Sequence, residues 1–172
     1  MKRENPLFTF ALAFALTFVG CATDYSWHSS VPADARTVTV PTFRNESNVS
    51  EVGALASQQL LREFQREGTF KVRTSGEAAI EVQGVIKSVS PALAAYNRRA
   101  GGRVAAYDLS ATAEVSVIDK RSRKVLVDNR RYVANATFTA GQDRTTAVRD
   151  ASGRLMDDLA RQVVDDILNL KW

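Results

Sequence analysis

Seven apolar residues near the C-terminus, Val148, Ala151, Leu155, Leu159, Val163, Ile167 and Leu170, recur at intervals of three or four. At 3.6 residues per turn they fall along one side of a helix. The pattern predicts one long amphipathic helix after Gly141, with Asp143 as its candidate cap and Arg149, Asp157, Asp158, Arg161, Asp165 and Asp166 on its outer face. A helix with a single apolar stripe is stable only when that stripe is covered. The rest of the chain must therefore supply a face to cover it.

That face is written in strands. In Arg36–Phe43, Val38 and Val40 alternate with Thr37 and Thr39, as in a half-buried strand, and Pro41 marks an edge or an end. A turn at Asn45–Asn48 follows, with Asn48 placed to cap a helix and Glu51 three residues on in a capping-box relation. Val52, Leu55, Ala56, Leu60 and Phe64, with Leu61 beside them, give that helix its apolar side, and Gly68 ends it. Ala79–Val89 sets Ile80, Val82 and Ile86 against Glu81, Gln83 and Lys87, and Phe70–Arg73 reads as a short lead-in strand. Arg103–Asp119 sets Leu109, Ala111, Ala113, Val115 and Val117 against Asp108, Ser110, Thr112, Glu114 and Ser116. The stretch between them, Pro91–Gly102, is rich in turn formers near its end. Lys124–Phe138 pairs with Arg103–Asp119 across the polar turn Lys120–Arg123, and puts Arg130 and Arg131 on opposite faces.

The order is strand, helix, three strands, helix. It predicts an α+β fold in which two helices pack on one face of a four-stranded, mainly antiparallel sheet, an α/β sandwich. The second face of the sheet is polar and stays uncovered.

The N-terminus has a different character. Lys2 and Arg3 precede an apolar run of about 13 residues, Leu7–Val19, too short for a membrane-spanning helix and suited to an export signal. The run closes as Phe18-Val19-Gly20-Cys21, which resembles a bacterial lipobox, with Phe18 where leucine is commoner. That resemblance implies a diacylglyceryl group on the Cys21 thiol and cleavage before it. Each buried methylene contributes about 0.8 kcal/mol, so two or more acyl chains hold firmly. An unmodified thiol and a buried cysteine in an uncleaved helix are the competing readings. Ala22, not aspartate, follows Cys21, which points to the outer membrane of a bacterium with two membranes. Residues 1–20 are then a signal peptide, 21–35 a polar lipidated tether, and 36–172 one domain.

Composition narrows the chemistry. Removing residues 1–20 leaves 21 basic and 18 acidic residues, a net charge of about +3, too mild to indicate nucleic acid. No second cysteine is present for a disulfide. His28 is the only histidine and reads as a tether residue, and nothing around it resembles a nucleophile elbow. The sequence offers no catalytic site, no metal site and no cofactor beyond the lipid on Cys21.

Taken in order, Cys21, VPADARTVTVPTFRNES, LLREFQREGTFKV, AAIEVQGVIKSVS, YDLSATAEVSVIDKRSRKVLVD and the terminal amphipathic helix resemble the LptE family of lipopolysaccharide-assembly lipoproteins across nearly all of the chain after the signal. Arg123 stands where the family hairpin often has glycine. The resemblance implies a lipid-anchored protein on the periplasmic face of the outer membrane, enclosed as a plug by the LptD barrel. Such a protein helps LptD assemble and helps insert lipopolysaccharide into the outer leaflet, without catalysing a reaction. Under it, Arg98, Arg99 and Arg103 in one loop, and Lys120, Arg121, Arg123 and Lys124 at the hairpin tip, become candidate contacts for lipid A phosphates, which arginine forks match well. Solvated loop charge and ion pairs with barrel acids are the alternatives for both clusters. Tyr96 and Tyr107 bracket the first loop and suit either a barrel wall or the core, and Trp172 suits packing or an interface. The VTVPTFRN segment also resembles other envelope lipoproteins and secretion-pore subunits. A structural envelope lipoprotein without a lipopolysaccharide role is thus the competing function.

Overall fold

The computed structural model describes residues 31–74, 77–97, 103–139 and 144–172. Cys21, His28, Arg98, Arg99, Gly141 and Asp143 lie outside them. A 3-10 turn at Ala33–Ala35 leads into β1 (Thr37–Thr39), β2 (Arg44–Asn45), α1 (Val52–Glu67), β3 (Lys71–Val72), β4 (Ile80–Asn97), β5 (Arg103–Asp119), β6 (Lys124–Thr139) and α2 (Arg144–Leu168).

The strands form one mixed sheet in the order β3-β1-β4-β5-β6, with β2 also paired to β4. β1 runs parallel to β3 and β4, and β2 runs parallel to β4 further along, at Val85 and Ile86. α1 makes the crossover between β1 and β3. β4, β5 and β6 form an antiparallel meander, from Ile80↔Asp119 to Asn97↔Arg103 on one side of β5 and from Asp119↔Lys124 to Ala106↔Thr139 on the other.

Both helices pack on one face. α1 buries Val52, Ala56, Leu60 and Phe64, and α2 buries Ala151, Leu155, Leu159, Val163 and Ile167 with Met156, Ala160 and Val164 beside them. Beneath them lie Ile80, Val82, Ile86, Val89, Leu109, Ala111, Ala113, Val115, Val117, Val127, Tyr132 and Ala134, every second residue of the meander apart from its bulges. The N-terminal parts of the helices line one cleft, with Val49, Val52 and Leu55 on one side and Val148 and Ser152 on the other. At the other end Phe70 contacts Phe64 edge-on, with ring centroids 5.3 Å apart, and meets Trp172 at 6.0 Å.

The sheet is wider than the four strands predicted. Phe70–Arg73 contains a true parallel edge strand, β3, and the predicted strand Arg36–Phe43 gives only β1 before Pro41 turns the chain toward β2. Asn48 does not cap α1. Glu51 takes that position in the left-handed region, with φ 66° and no side-chain cap bond. Asn45 organises the turn instead: its Oδ1 accepts from the Ser47 backbone N–H and hydroxyl, and its Nδ2 donates to the Val49 carbonyl. Gly68 closes α1 as predicted, at φ 86°, with its N–H donating to the Phe64 carbonyl. The largest departure is the β4–β5 hairpin, where Pro91–Asn97, predicted as part of a loop, continues β4.

Candidate interaction surfaces

The helix-free face of the meander carries Glu81, Gln83, Lys87, Ser88, Ser110, Thr112, Glu114, Ser116, Arg131, Asn135 and Thr137, as the alternation predicts. Several of these side chains are tied to one another or to neighbouring residues. The Gln83 amide donates to Glu81 at 2.6 Å and the Lys120 ammonium stands 3.0 Å from the same carboxylate, and the two hold Glu81 below the usual carboxylate range. The Lys87 ammonium lies 2.5 Å from Glu46 and 3.9 Å from Glu114. That contact lowers Glu46 and raises Lys87. The Thr137 hydroxyl donates to Asp108 at 2.6 Å, joining β6 to β5. The result is a surface of hydroxyls, amides and paired charges, with Val85, Ile118, Val125 and Val133 among them. It can match a hydrophilic wall by hydrogen bonding and is unsuited to lipid tails.

Of the predicted cations, Arg103 and Lys124 lie at opposite ends of the meander. Arg103 opens β5 across from Asn97, where the β4–β5 hairpin nears its turn. Lys124 opens β6 across from Asp119. Sixteen residues of β5 separate the two levels, about 50 Å at the rise of a strand. No single headgroup bridges them.

At the Lys124 end the cations divide by partner. Arg121 is clamped: its Nε and Nη2 donate to Asp119 at 3.1 and 2.9 Å, and its Nη1 pairs with Asp34 of the N-terminal 3-10 turn. With two backbone N–H donors as well, the Arg121 guanidinium holds the Asp119 carboxyl at a pKa of about 2. Lys120 serves Glu81. Arg123 and Lys124 are exposed, with no acid partner among the described residues. Arg123 has φ 56°, the left-handed conformation that glycine adopts without strain.

Arg130 and Arg131 point to opposite faces, as predicted. Arg130 turns toward α2 and pairs with Asp166, which also accepts a 2.5 Å hydrogen bond from the Tyr132 hydroxyl. Asp166 is therefore committed to the sheet, a contact the helical pattern alone misses. The clue was available: Arg130 sits in the inward register of β6 and needs an acid from the covering helix. Tyr107 stacks on Phe138 across the β5–β6 pair, centroids 5.4 Å apart, and so takes the packing role. Among the described residues no three His, Cys, Asp or Glu side chains group to hold a metal, and no helix is long and apolar enough to cross a membrane.

Comparison with known proteins adds to this geometry. A family model described as "LptE: Lipopolysaccharide-assembly" matches residues 35–169. Among solved structures, the chain is similar to a hypothetical protein, CT253, from Chlamydia trachomatis. The TM-score is 0.52 at 14% identity, over 78% of this chain and 96% of that one. It is also similar to a minor lipoprotein from Acinetobacter baumannii, with TM-score 0.51 at 13% identity, over 78% of this chain and 93% of that one. At these identities the likeness concerns the fold. No curated protein matches by sequence.

Proposed function

The chain belongs to the LptE family of lipopolysaccharide-assembly lipoproteins, a non-catalytic family, and we propose that it acts as the plug and assembly partner of the LptD barrel. In this reading Cys21, acylated after removal of residues 1–20, fixes the protein through the tether of residues 21–35 to the periplasmic face of the outer membrane. The domain of residues 36–172 then sits inside the barrel while lipopolysaccharide passes to the outer leaflet.

One observation supports the proposal beyond family membership: among the described residues no helix covers the second face of the meander, and that face is mostly polar, with Val85, Ile118, Val125 and Val133 interspersed. Barrel lumens are lined by polar residues. A plug must offer them donors and acceptors, and Ser110, Glu114, Asn135 and Thr137 do so. The β4–β5 pair runs on to Arg103, and we assign Arg98, Arg99 and Arg103 to lipid A phosphates. Lys124, at the opposite end, would meet a separate phosphate.

A photocrosslinker at Asn135 tests the partner: in cells it should capture a large barrel protein identifiable as LptD. Capture of other envelope proteins alone would favour a structural or secretion-pore lipoprotein. Replacing Arg98, Arg99 and Arg103 with serine should weaken lipopolysaccharide binding by the purified protein, and unchanged binding would remove the phosphate assignment.

A further inference from the structure

The chain enters its folded body among cations. Val31 and Ala35 are buried, 1% and 0% exposed. The Arg36 Nε donates to the Val31 carbonyl at 3.1 Å, and the Lys71 backbone N–H donates to the Arg36 carbonyl at 2.8 Å. The β5–β6 tip is drawn to the same place by the Arg121–Asp34 pair. The N-terminal entry, the starts of β1, β3, β4 and β6, and the end of β5 therefore share one end of the sheet.

Charge at this end is lopsided. Asp34 and Asp119 are taken up by Arg121, and Glu81 by Lys120. Arg36, Lys71, Arg123 and Lys124 are exposed and have no acid partner among the described residues, while Glu67, which accepts from Thr69, and Glu77 are the nearby carboxylates without a cation partner. Arg123 keeps a guanidinium in a backbone conformation that glycine adopts without strain. Only ten peptide steps separate Cys21 from Val31, at most about 35 Å of chain. A body on so short a lead keeps its entry end close to whatever surface holds the lead.

We propose that this end is a headgroup-docking surface, with Arg36, Lys71, Arg123 and Lys124 seated on anionic phospholipid phosphates of the bilayer that receives the lipid on Cys21. The proposal rests on the anchor reading above. Docking orients the body, directing the β4–β5 hairpin away from that leaflet while the cationic end stays at its surface.

The full lipidated chain in vesicles tests this, with a fluorophore on Ser122→Cys at the β5–β6 tip or, as a control, on Ser50→Cys before α1, and a quencher on the lipid headgroups. In phosphatidylethanolamine vesicles containing phosphatidylglycerol, the Ser122 probe should be quenched and the Ser50 probe should not. Replacing Arg123 and Lys124 with alanine should lower the ratio of docked to undocked body about five-fold per cation, the worth of one basic residue at an anionic surface. High salt should do the same. Equal quenching at both positions, or Ser122 quenching indifferent to salt, to phosphatidylglycerol and to the alanine pair, would overturn the docking. Protein that fails to float with vesicles would instead remove the anchor, an outcome distinct from floating protein with an unquenched tip.

Discussion

The ring of Phe43 presses on the backbone of Gly84, so closely that a Cβ at residue 84 would stand 2.1 Å from the ring's Cε2. The Phe43 carbonyl likewise meets Gly53 in the first turn of α1, where a Cβ would lie 2.3 Å away. The Phe43 N–H donates to the buried Ser57 hydroxyl at 2.8 Å. One aromatic residue after Pro41 thus sets the spacing between α1, the β1–β2 connection and β4.

Gly84→Ala should accordingly destabilise the protein by about 1–3 kcal/mol, the usual cost of overpacking, and Phe43→Ala by about 3–5 kcal/mol through the cavity it leaves. The double variant should lose less than the two separately, because the new methyl enters space the ring has vacated. Urea unfolding of the four proteins gives the coupling directly. Strict additivity would mean that the contact does not constrain the fold.

Asp119 gives the stability a pH signature. Its carboxyl is held at about 2 in the folded state against an ordinary value of 3.8. A depressed carboxylate contributes stability above its unfolded pKa and loses it as pH falls through the folded value. The contribution should be about 2 kcal/mol near neutrality and fade between pH 4 and pH 2. Unfolding curves of wild type and Asp119→Asn should therefore differ at pH 7 and converge by pH 2. A constant difference over that range would place the Asn penalty elsewhere.

Tyr132 behaves in the opposite sense. Burial first, and then the Asp166 carboxylate, push its hydroxyl above the ordinary tyrosine range. A raised group contributes stability below its unfolded pKa and loses it as pH rises. Its share should hold up to about pH 10 and decline beyond. Tyr132→Phe, which removes a hydrogen bond to a charged acceptor, should cost about 1.5–3 kcal/mol at neutral pH. In Asp166→Asn most of that cost should vanish. Alkaline absorbance titration checks the same link, since Asp166→Asn should lower the last tyrosine transition.

Much of this architecture is legible in residue patterns, and the failures have physical causes. The period of Val148 to Leu170 and the alternation from Leu109 to Val117 place α2 and β5 on the core with the right faces inward. Pro91 misleads because proline lacks the N–H a central strand requires. Here β2 pairs with β4 only as far as Ile86, so beyond it one flank of β4 has no paired strand among the described residues and accepts a proline opposite Leu109. The α1 start differs from the pattern because Asn48 and Glu51 spell a capping box, while Asn45, further upstream, folds the preceding turn by bonding the Ser47 N–H and the Val49 carbonyl. The Arg121–Asp34 and Arg130–Asp166 pairs join residues 87 and 36 positions apart, and separations of that length follow from register rather than from local pattern.

β6 is the last strand of the sheet, sixteen residues long, and it carries both large hydrophobic residues exposed among those described, Val125 at 50% and Val133 at 44%. A long strand edge is a template for pairing with another chain. Side chains of α2 reach over this one: the Arg154 Nη2 donates to the Thr137 carbonyl at 3.1 Å and the Gln162 Nε2 to the Val133 carbonyl at 3.2 Å. Those carbonyls lie four residues apart, on the same side of the strand, so two helix side chains block alternate docking points along its free edge. Replacing Arg154 and Gln162 with alanine should leave the core intact, since neither is buried, and should cost less than about 1 kcal/mol of stability. The same change should promote concentration-dependent self-association through β6, measurable by sedimentation. Adding Val133→Lys to the double variant should reverse it, because a charged side chain on an edge opposes strand addition. Association that persists with lysine at position 133 would show that the contact forms elsewhere, and unchanged sedimentation of the double variant would show that the two side chains guard nothing.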